Sequence, residues 1–257
     1  MSSLRALAQR LPPIVPRAGW RAMQFGVAVP AAGRWLRERH AYRALPGAER
    51  LRWRDSLPML TDRLATTPYD PHYLHQDSWA ARRVAEHAPS RHVDVGSRVD
   101  YVCFLGAIVP VTFVDIRPLE AQVENVESIA GSVLEMPFED RSLESVSCLH
   151  VIEHIGLGRY GDPLDPTGSQ RAVAELQRVI APGGQLLLST PVGRPRVCFN
   201  AHRVHDPRHV RAMVGELELV EFAGVDDAGR FRRHRTLDEL ADQSYACGMY
   251  RFTRPAA

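Results

Sequence analysis

Between residues 144 and 163 the chain reads Glu144-Ser-Val-Ser-Cys-Leu-His150-Val-Ile-Glu153-His154-Ile-Gly-Leu-Gly-Arg159-Tyr160-Gly-Asp162-Pro163. An apolar strand signal runs directly into two histidines, a glutamate, an arginine, a tyrosine and an aspartate. Histidine is the side chain best suited to move a proton near neutral pH, so His154 and His150 are candidate general bases. His150, Glu153 and His154 also fit the H-x-x-E-H pattern of certain zinc proteases. That pattern needs both histidines on one helical face, whereas here it begins at the end of a buried strand. Arg159 suits a carboxylate or phosphate. It shares with Tyr160 and Asp162 a loop punctuated by Gly156, Gly158 and Gly161, expected to close over a substrate. A second group, Phe199-Asn-Ala-His202-Arg-Val-His205-Asp-Pro, adds His202 as a third candidate base and His205 as a substrate contact. A metal set drawn from His150, His154, His202, His205 and Asp206 is not assigned, because no carboxylate pair has ligand spacing.

All 32 basic residues among the 257 are arginine. Without lysine the chain has no Schiff-base nucleophile, no Walker A lysine and no kinase-type lysine. Cys103, Cys148, Cys198 and Cys247 stand singly in apolar stretches, with no C-x-x-C pair. They predict a reducing, cytoplasmic setting without disulfides or a Cys-rich zinc site.

Charge divides the chain. Residues 1–54 hold eleven arginines against Glu38 and Glu49, while the remainder is net acidic. Ser2-Ser3 before Leu4, Leu7, Ala8 and Leu11 predicts a capped helix ending at Pro12-Pro13. Residues 34–66 also read as helical, with leucines on recurring faces. Residues 1–66 are therefore expected to form a basic helical extension. Its arginines would meet the rest of the chain, a partner subunit or, peripherally, an anionic membrane. The apolar run Trp20–Ala32 is too short to span a bilayer.

From residue 67 to 257 a second domain is expected. A helix is predicted at Asp77–His87, then strands at His92–Val95, Val111–Asp115, Glu127–Ala130, Leu143–Leu149 and Gln185–Thr190, with a clear helix over Gly168–Ile180. This alternation predicts a doubly wound parallel sheet. Two later strands, Leu217–Val225 and Tyr245–Thr253, are separated only by a short helix at Thr236–Ala241, so the last is expected to run antiparallel.

In such sheets ligands sit beyond the carboxyl ends of the strands. The first strand ends Asp94-Val95-Gly96-Ser97, and Asp115 closes the second, 21 residues after Asp94. Asp115 is placed to accept both ribose hydroxyls of an adenosine. A dinucleotide needs G-x-G-x-x-G, but Gly96 is followed by Ser97, Arg98 and Val99 and by no second glycine at that spacing. A phosphate-free, cationic adenosine derivative needs only Gly96 and suits the carboxylate of Asp94.

Asp94-Val-Gly96-Ser, Val-Asp115-Ile, Gly131-Ser-Val-Leu-Glu-Met-Pro-Phe, Val-Ile-Glu153-His154 and Glu175-Leu-Gln-Arg-Val-Ile-Ala-Pro-Gly-Gly together resemble the class I S-adenosylmethionine-dependent methyltransferases. The likeness runs over roughly residues 90–255, with the motifs in order. The segments around Arg159 and His202 resemble an uncharacterised branch, a domain family of unknown function. The resemblance implies a Rossmann-like seven-stranded α/β sheet, mostly parallel with an antiparallel last strand. It implies S-adenosylmethionine as cofactor, held by Asp94, Gly96, Ser97, Asp115, Ile116, Ser132, Val133 and His150. Ser132 stands where family members commonly carry an aspartate for the adenine amino group. The reaction implied is methyl transfer to oxygen or nitrogen of a small-molecule, glycan or lipid-linked acceptor. A non-catalytic binding or scaffold protein on the same fold stays open as an alternative. Nucleic acid is disfavoured, since Arg230-Phe-Arg-Arg-His-Arg235 is one basic loop in an acidic domain.

Overall fold

The computed structural model describes residues 17–256, and the chain divides into two compact units, Met1–Asp70 and Pro71–Ala257. The helix predicted at residues 2–11 lies outside the described residues. In the first unit, α1 (Arg17–Arg43) runs for 27 residues. The helix expected over 34–66 ends there, because Pro46 cannot continue it and Gly47 turns the chain at φ +78°. Beyond lies one 3₁₀ turn, Trp53–Asp55. Leu45, Leu57 and Leu64, whose spacing suggested a helical face, are exposed. The Arg39 guanidinium stacks over Trp53 at 4.0 Å, folding this segment back on α1. No described helix is long and apolar enough to cross a membrane.

The second unit opens with α2 (Pro71–His87), six residues before the expected start. Pro71 supplies a pre-set φ for a first helical turn. The elements that follow are β1 (His92–Val95), α3 (Val99–Leu105), β2 (Val111–Asp115), β3 (Val126–Ala130) and β4 (Leu143–Leu149). Next come α4 (Gly168–Val179), β5 (Ile180–Val192), β6 (Arg196–Cys198), β7 (His202–Val204) and α5 (Pro207–Met213). The last are β8 (Glu218–Val225), β9 (Phe231–Arg232), α6 (Asp238–Ala241) and β10 (Ala246–Thr253).

One sheet of eight strands runs in the order β3-β2-β1-β4-β5-β10-β8-β9. This corrects the expected seven, because the two-residue β9 adds to the outer edge of β8. A separate hairpin, β6–β7, is also new. Strands of two or three residues leave no alternation to read. β1 to β5 pair in parallel, and β10 runs antiparallel to both β5 and β8. The central strands are buried on both faces, which is why Val146–Leu149 and Leu186–Leu188 are fully buried.

α4, α5 and α6 cover one face, packing around Val146, Leu176, Leu186 and Tyr250. α2 and α3 cover the other, around Trp79, Val102, Phe113 and Met249. α2 is tied down by polar contacts as well. Trp79 Nε1 donates to Glu221 Oε1 at 3.1 Å, Arg83 pairs with Glu221 at 3.3 Å, and Ser189 Oγ donates to Gln76 Oε1 at 2.6 Å. The carboxyl ends of β1, β2, β4 and β5 share one rim. β10, being antiparallel, begins at that rim, with Ala246 opposite Val192.

Candidate active site

The turn after β1 is organised from beneath. Asp94 is fully buried and accepts from Ser97 N at 3.0 Å, Ser97 Oγ at 2.7 Å and the Ser147 hydroxyl. Ser97 Oγ in turn accepts from Leu149 N at 3.0 Å, tying the turn to β4. Burial pushes the Asp94 carboxyl up to about 7. Asp94 and Ser97 thus spend these hydrogen bonds on shaping the turn and tying it to β4.

Gly96 adopts φ +68°, a left-handed conformation that favours glycine. A Cβ there would meet the Val151 methyls at 3.3 Å and Asp115 Oδ2 at 3.8 Å. Gly96 and the Asp115 carboxylate thus face one another across the rim, with Val151 beside them. Asp115 Oδ1 accepts from Arg117 N at 2.7 Å, which fixes the carboxylate. Ile116 is exposed next to it. Ser132 Oγ accepts from Leu134 N at 3.1 Å and keeps its own proton for another acceptor. The Val133 side chain is buried in the core.

At the end of β4, His150 takes φ +56°, a strained conformation for a non-glycine residue. Its Nδ1 lies 2.8 Å from Glu153 Oε1, and both side chains are buried. Burial alone would lower the His150 pKa, but Glu153 and Cys247 outweigh it and hold the value well above the usual one. Glu153 moves the other way, since the adjacent imidazolium outweighs its burial. They form a buried carboxylate–imidazolium pair.

His154 is different. Its Nδ1 donates to the Ala201 carbonyl at 2.6 Å, so the proton of the neutral ring sits on Nδ1 and the lone pair on Nε2. Nε2 stands 3.8 Å from Glu153 Oε1. Burial lowers the His154 pKa, which keeps Nε2 unprotonated near neutral pH.

The glycine-punctuated loop is stapled rather than loose. Asp162 accepts from Gly156 N at 2.7 Å and Tyr160 N at 3.2 Å. Those backbone N–H groups outweigh burial and hold its pKa low. Gly156 is required, since a Cβ would come within 2.1 Å of the Asp165 carbonyl. Arg159 donates to Ala201 O at 3.1 Å and stays exposed. Tyr160 lies between two guanidinium groups, Arg159 at 5.0 Å and Arg117 at 4.6 Å. The loop after β4 therefore reaches the end of β2, beside Asp115.

His202, on β7, is half-buried with its ring 5.1 Å from Tyr245. His205 directly follows β7. It is buried, pushed down to about 4 by that burial, and lines a cavity with Arg196, Asp206 and His209. Sequence reasoning missed His72, Tyr73, Tyr245 and Cys247. The rings of Tyr245, His72 and His150 stack in turn, with centroids 5.3 Å and 5.8 Å apart, and Tyr73 lies 5.3 Å from His150. The signal was available, because an antiparallel last strand brings its first residues to the ligand-bearing rim.

Residues 115–239 match the family model described as "Caenorhabditis protein of unknown function, DUF268". Comparison with curated proteins gives no match. Among solved structures, the N-methyltransferase NodS from Bradyrhizobium japonicum WM9, in complex with S-adenosyl-L-homocysteine, is similar at TM-score 0.52 and 16% identity, over 77% of this chain and 92% of that one. A putative sarcosine dimethylglycine methyltransferase from Galdieria sulphuraria aligns at TM-score 0.50 and 14% identity, over 70% and 85%. The (4+2)-cyclase SpnF aligns at TM-score 0.51 and 13% identity, over 70% and 82%. The chain has the α/β fold, with its mostly parallel sheet, that these proteins share.

Proposed function

We propose that this rim binds S-adenosylmethionine and that the chain transfers its methyl group to an oxygen or nitrogen of a small-molecule, glycan or lipid-linked acceptor. The observation that carries this reading is the pairing of Gly96 with the Asp115 carboxylate, 3.8 Å from the position of a Gly96 Cβ. Asp115 would accept the ribose hydroxyls, Ile116 would cover the adenine, and the Ser132 hydroxyl would meet its edge. When bound, the cofactor supplies an electrophilic methyl group. His154 Nε2 takes the acceptor's proton, and the Glu153 carboxylate stabilises the imidazolium that results. Arg159 offers an exposed guanidinium to an anionic group on the acceptor. Tyr160, held between Arg159 and Arg117, covers the rim and excludes water.

A second reading is supported by Val151, whose methyls lie against Gly96 where the methionine arm would pass. In that reading the fold survives as a non-catalytic binding protein, and SpnF illustrates that a methyltransferase-like fold does not by itself fix the reaction. Isothermal titration calorimetry with S-adenosylmethionine and S-adenosylhomocysteine separates the two. Micromolar binding supports the enzyme, and no binding at millimolar ligand removes it.

A further inference from the structure

Behind the candidate base, three side chains from distant parts of the sequence converge. One ring nitrogen each of His72 and His150, together with Cys247 Sγ, lie within 4.8 Å of one another. His72 comes from the first turn of α2, His150 from the end of β4, and Cys247 from the start of β10. The His150 side chain is only 6% exposed; its Nε2 has no nitrogen or oxygen partner, and the ring interacts with the Cys247 side chain. Its other nitrogen is already committed to the buried Glu153 at 2.8 Å. That carboxylate–histidine arrangement fixes a metal-ligating imidazole: the outer carboxylate keeps the proton on Nδ1 and, once the ion displaces the proton that Nε2 carries in the imidazolium, aims that nitrogen at it. The left-handed backbone at His150, φ +56°, is a strained conformation of the kind that persists at ligand clamps.

We propose that His72, His150 and Cys247 form a three-ligand site for Zn²⁺, with Glu153 as the positioning residue and the fourth coordination position left for water or an acceptor group. Two imidazoles and a thiolate suit zinc among abundant divalent ions. Three protein ligands with an open position are the pattern of reactive rather than purely structural zinc sites. Bonds of about 2.0–2.3 Å place tetrahedral ligand atoms roughly 3.3–3.7 Å apart, so the present spread closes by about 1 Å on binding. His72 is half-buried and supplies the solvent-facing side. The site stands whether or not the rim binds S-adenosylmethionine.

The test uses the full chain, stripped with chelator and titrated with Co²⁺ as a visible stand-in for zinc. One equivalent is expected to produce thiolate-to-cobalt charge-transfer absorption and the intense visible bands of a four-coordinate ion, and one equivalent of Zn²⁺ is expected to abolish both. Cys247→Ser is expected to remove the charge-transfer band, and His72→Ala to weaken Co²⁺ binding at least tenfold. Glu153→Gln is expected to weaken it by about 10–100-fold, while His209→Ala leaves it unchanged. Wild type that shows no band and retains no stoichiometric zinc overturns the site, as does a band that survives Cys247→Ser. Should that variant fail to fold, protection of Cys247 from alkylation in wild type by one equivalent of Zn²⁺ replaces it, and unprotected Cys247 overturns the site equally.

Discussion

His150 Nδ1 meets Glu153 Oε1 at 2.8 Å inside the protein, and each holds the other charged. Removing one partner strands a buried charge. Glu153→Leu is expected to lower unfolding free energy by about 3–5 kcal/mol, read from urea denaturation. The sign with pH follows from the shifts. The raised His150 value contributes stability below the ordinary histidine range that is lost as pH rises through the folded value. The lowered Glu153 value contributes stability above the ordinary carboxylate range that is lost as pH falls through it. An unchanged midpoint in the variant would show that the pair is not formed.

Asp115 is the carboxylate assigned to the ribose. Asp115→Ala is expected to weaken S-adenosylhomocysteine binding by about 1–3 kcal/mol through lost charged hydrogen bonds, with the fold kept. Val151→Ala is expected to strengthen the same binding, since it clears the space beside Gly96. Calorimetry reads both, and equal affinity for wild type and Asp115→Ala would misplace the ribose.

For His154, cofactor affinity and turnover should separate. His154→Ala is expected to bind S-adenosylhomocysteine as wild type does and to lose about 10²–10⁴-fold in turnover. S-adenosylhomocysteine release across a panel of phenols, catechols, amines and sugars measures it. Because burial lowers the His154 pKa, wild-type activity should persist below the ordinary histidine range before falling. Full turnover by the variant would remove His154 as the base.

Acid stability is set elsewhere. His92 lies buried between Ser145 and Ser147, each at 2.8 Å, and burial pushes it down to about 3, while His205 falls to about 4. Both folded values lie below the unfolded one near ~6.5. Their contribution is therefore present above that value and is lost as pH falls through the folded ones. Asp94, raised to about 7, contributes in the opposite sense: its share is present in acid and is lost as pH rises towards that value. His205→Gln should flatten the acid limb of a stability–pH curve by about 1.4 kcal/mol per pH unit between roughly 6.5 and 4. An unchanged limb would mean that the ring is charged in the fold.

Much of the fold was legible because long strands and a strongly amphipathic helix carry period. The order of Asp94, Gly96, Asp115 and Glu153 along alternating strands and helices was enough to place them at or beside the carboxyl ends of the strands. What was not legible depended on direction and burial. Asp94 reads as a ligand carboxylate in one dimension, yet in three it is spent on Ser97 and Ser147. Asp162 looks like a substrate contact but staples Gly156 and Tyr160. Leucines 45, 57 and 64 recur at helical spacing without meeting a core, so no apolar face formed to sustain a helix beyond Arg43. His72 and Cys247 are 175 positions apart, and local pattern says nothing of such pairs.

The place of β10 in the sheet has a consequence for synthesis. It lies between β5 and β8, although it leaves the ribosome after both. Until residues 246–253 emerge, a nascent chain holds β1 to β5 with one unsatisfied edge, and β8 has no neighbour on its inner side. An interrupted chain would expose two strand edges of the kind that template aggregation. It would also lack Cys247 and the Tyr245 ring that stacks on His72. The candidate site is thereby completed only when the sheet is sealed.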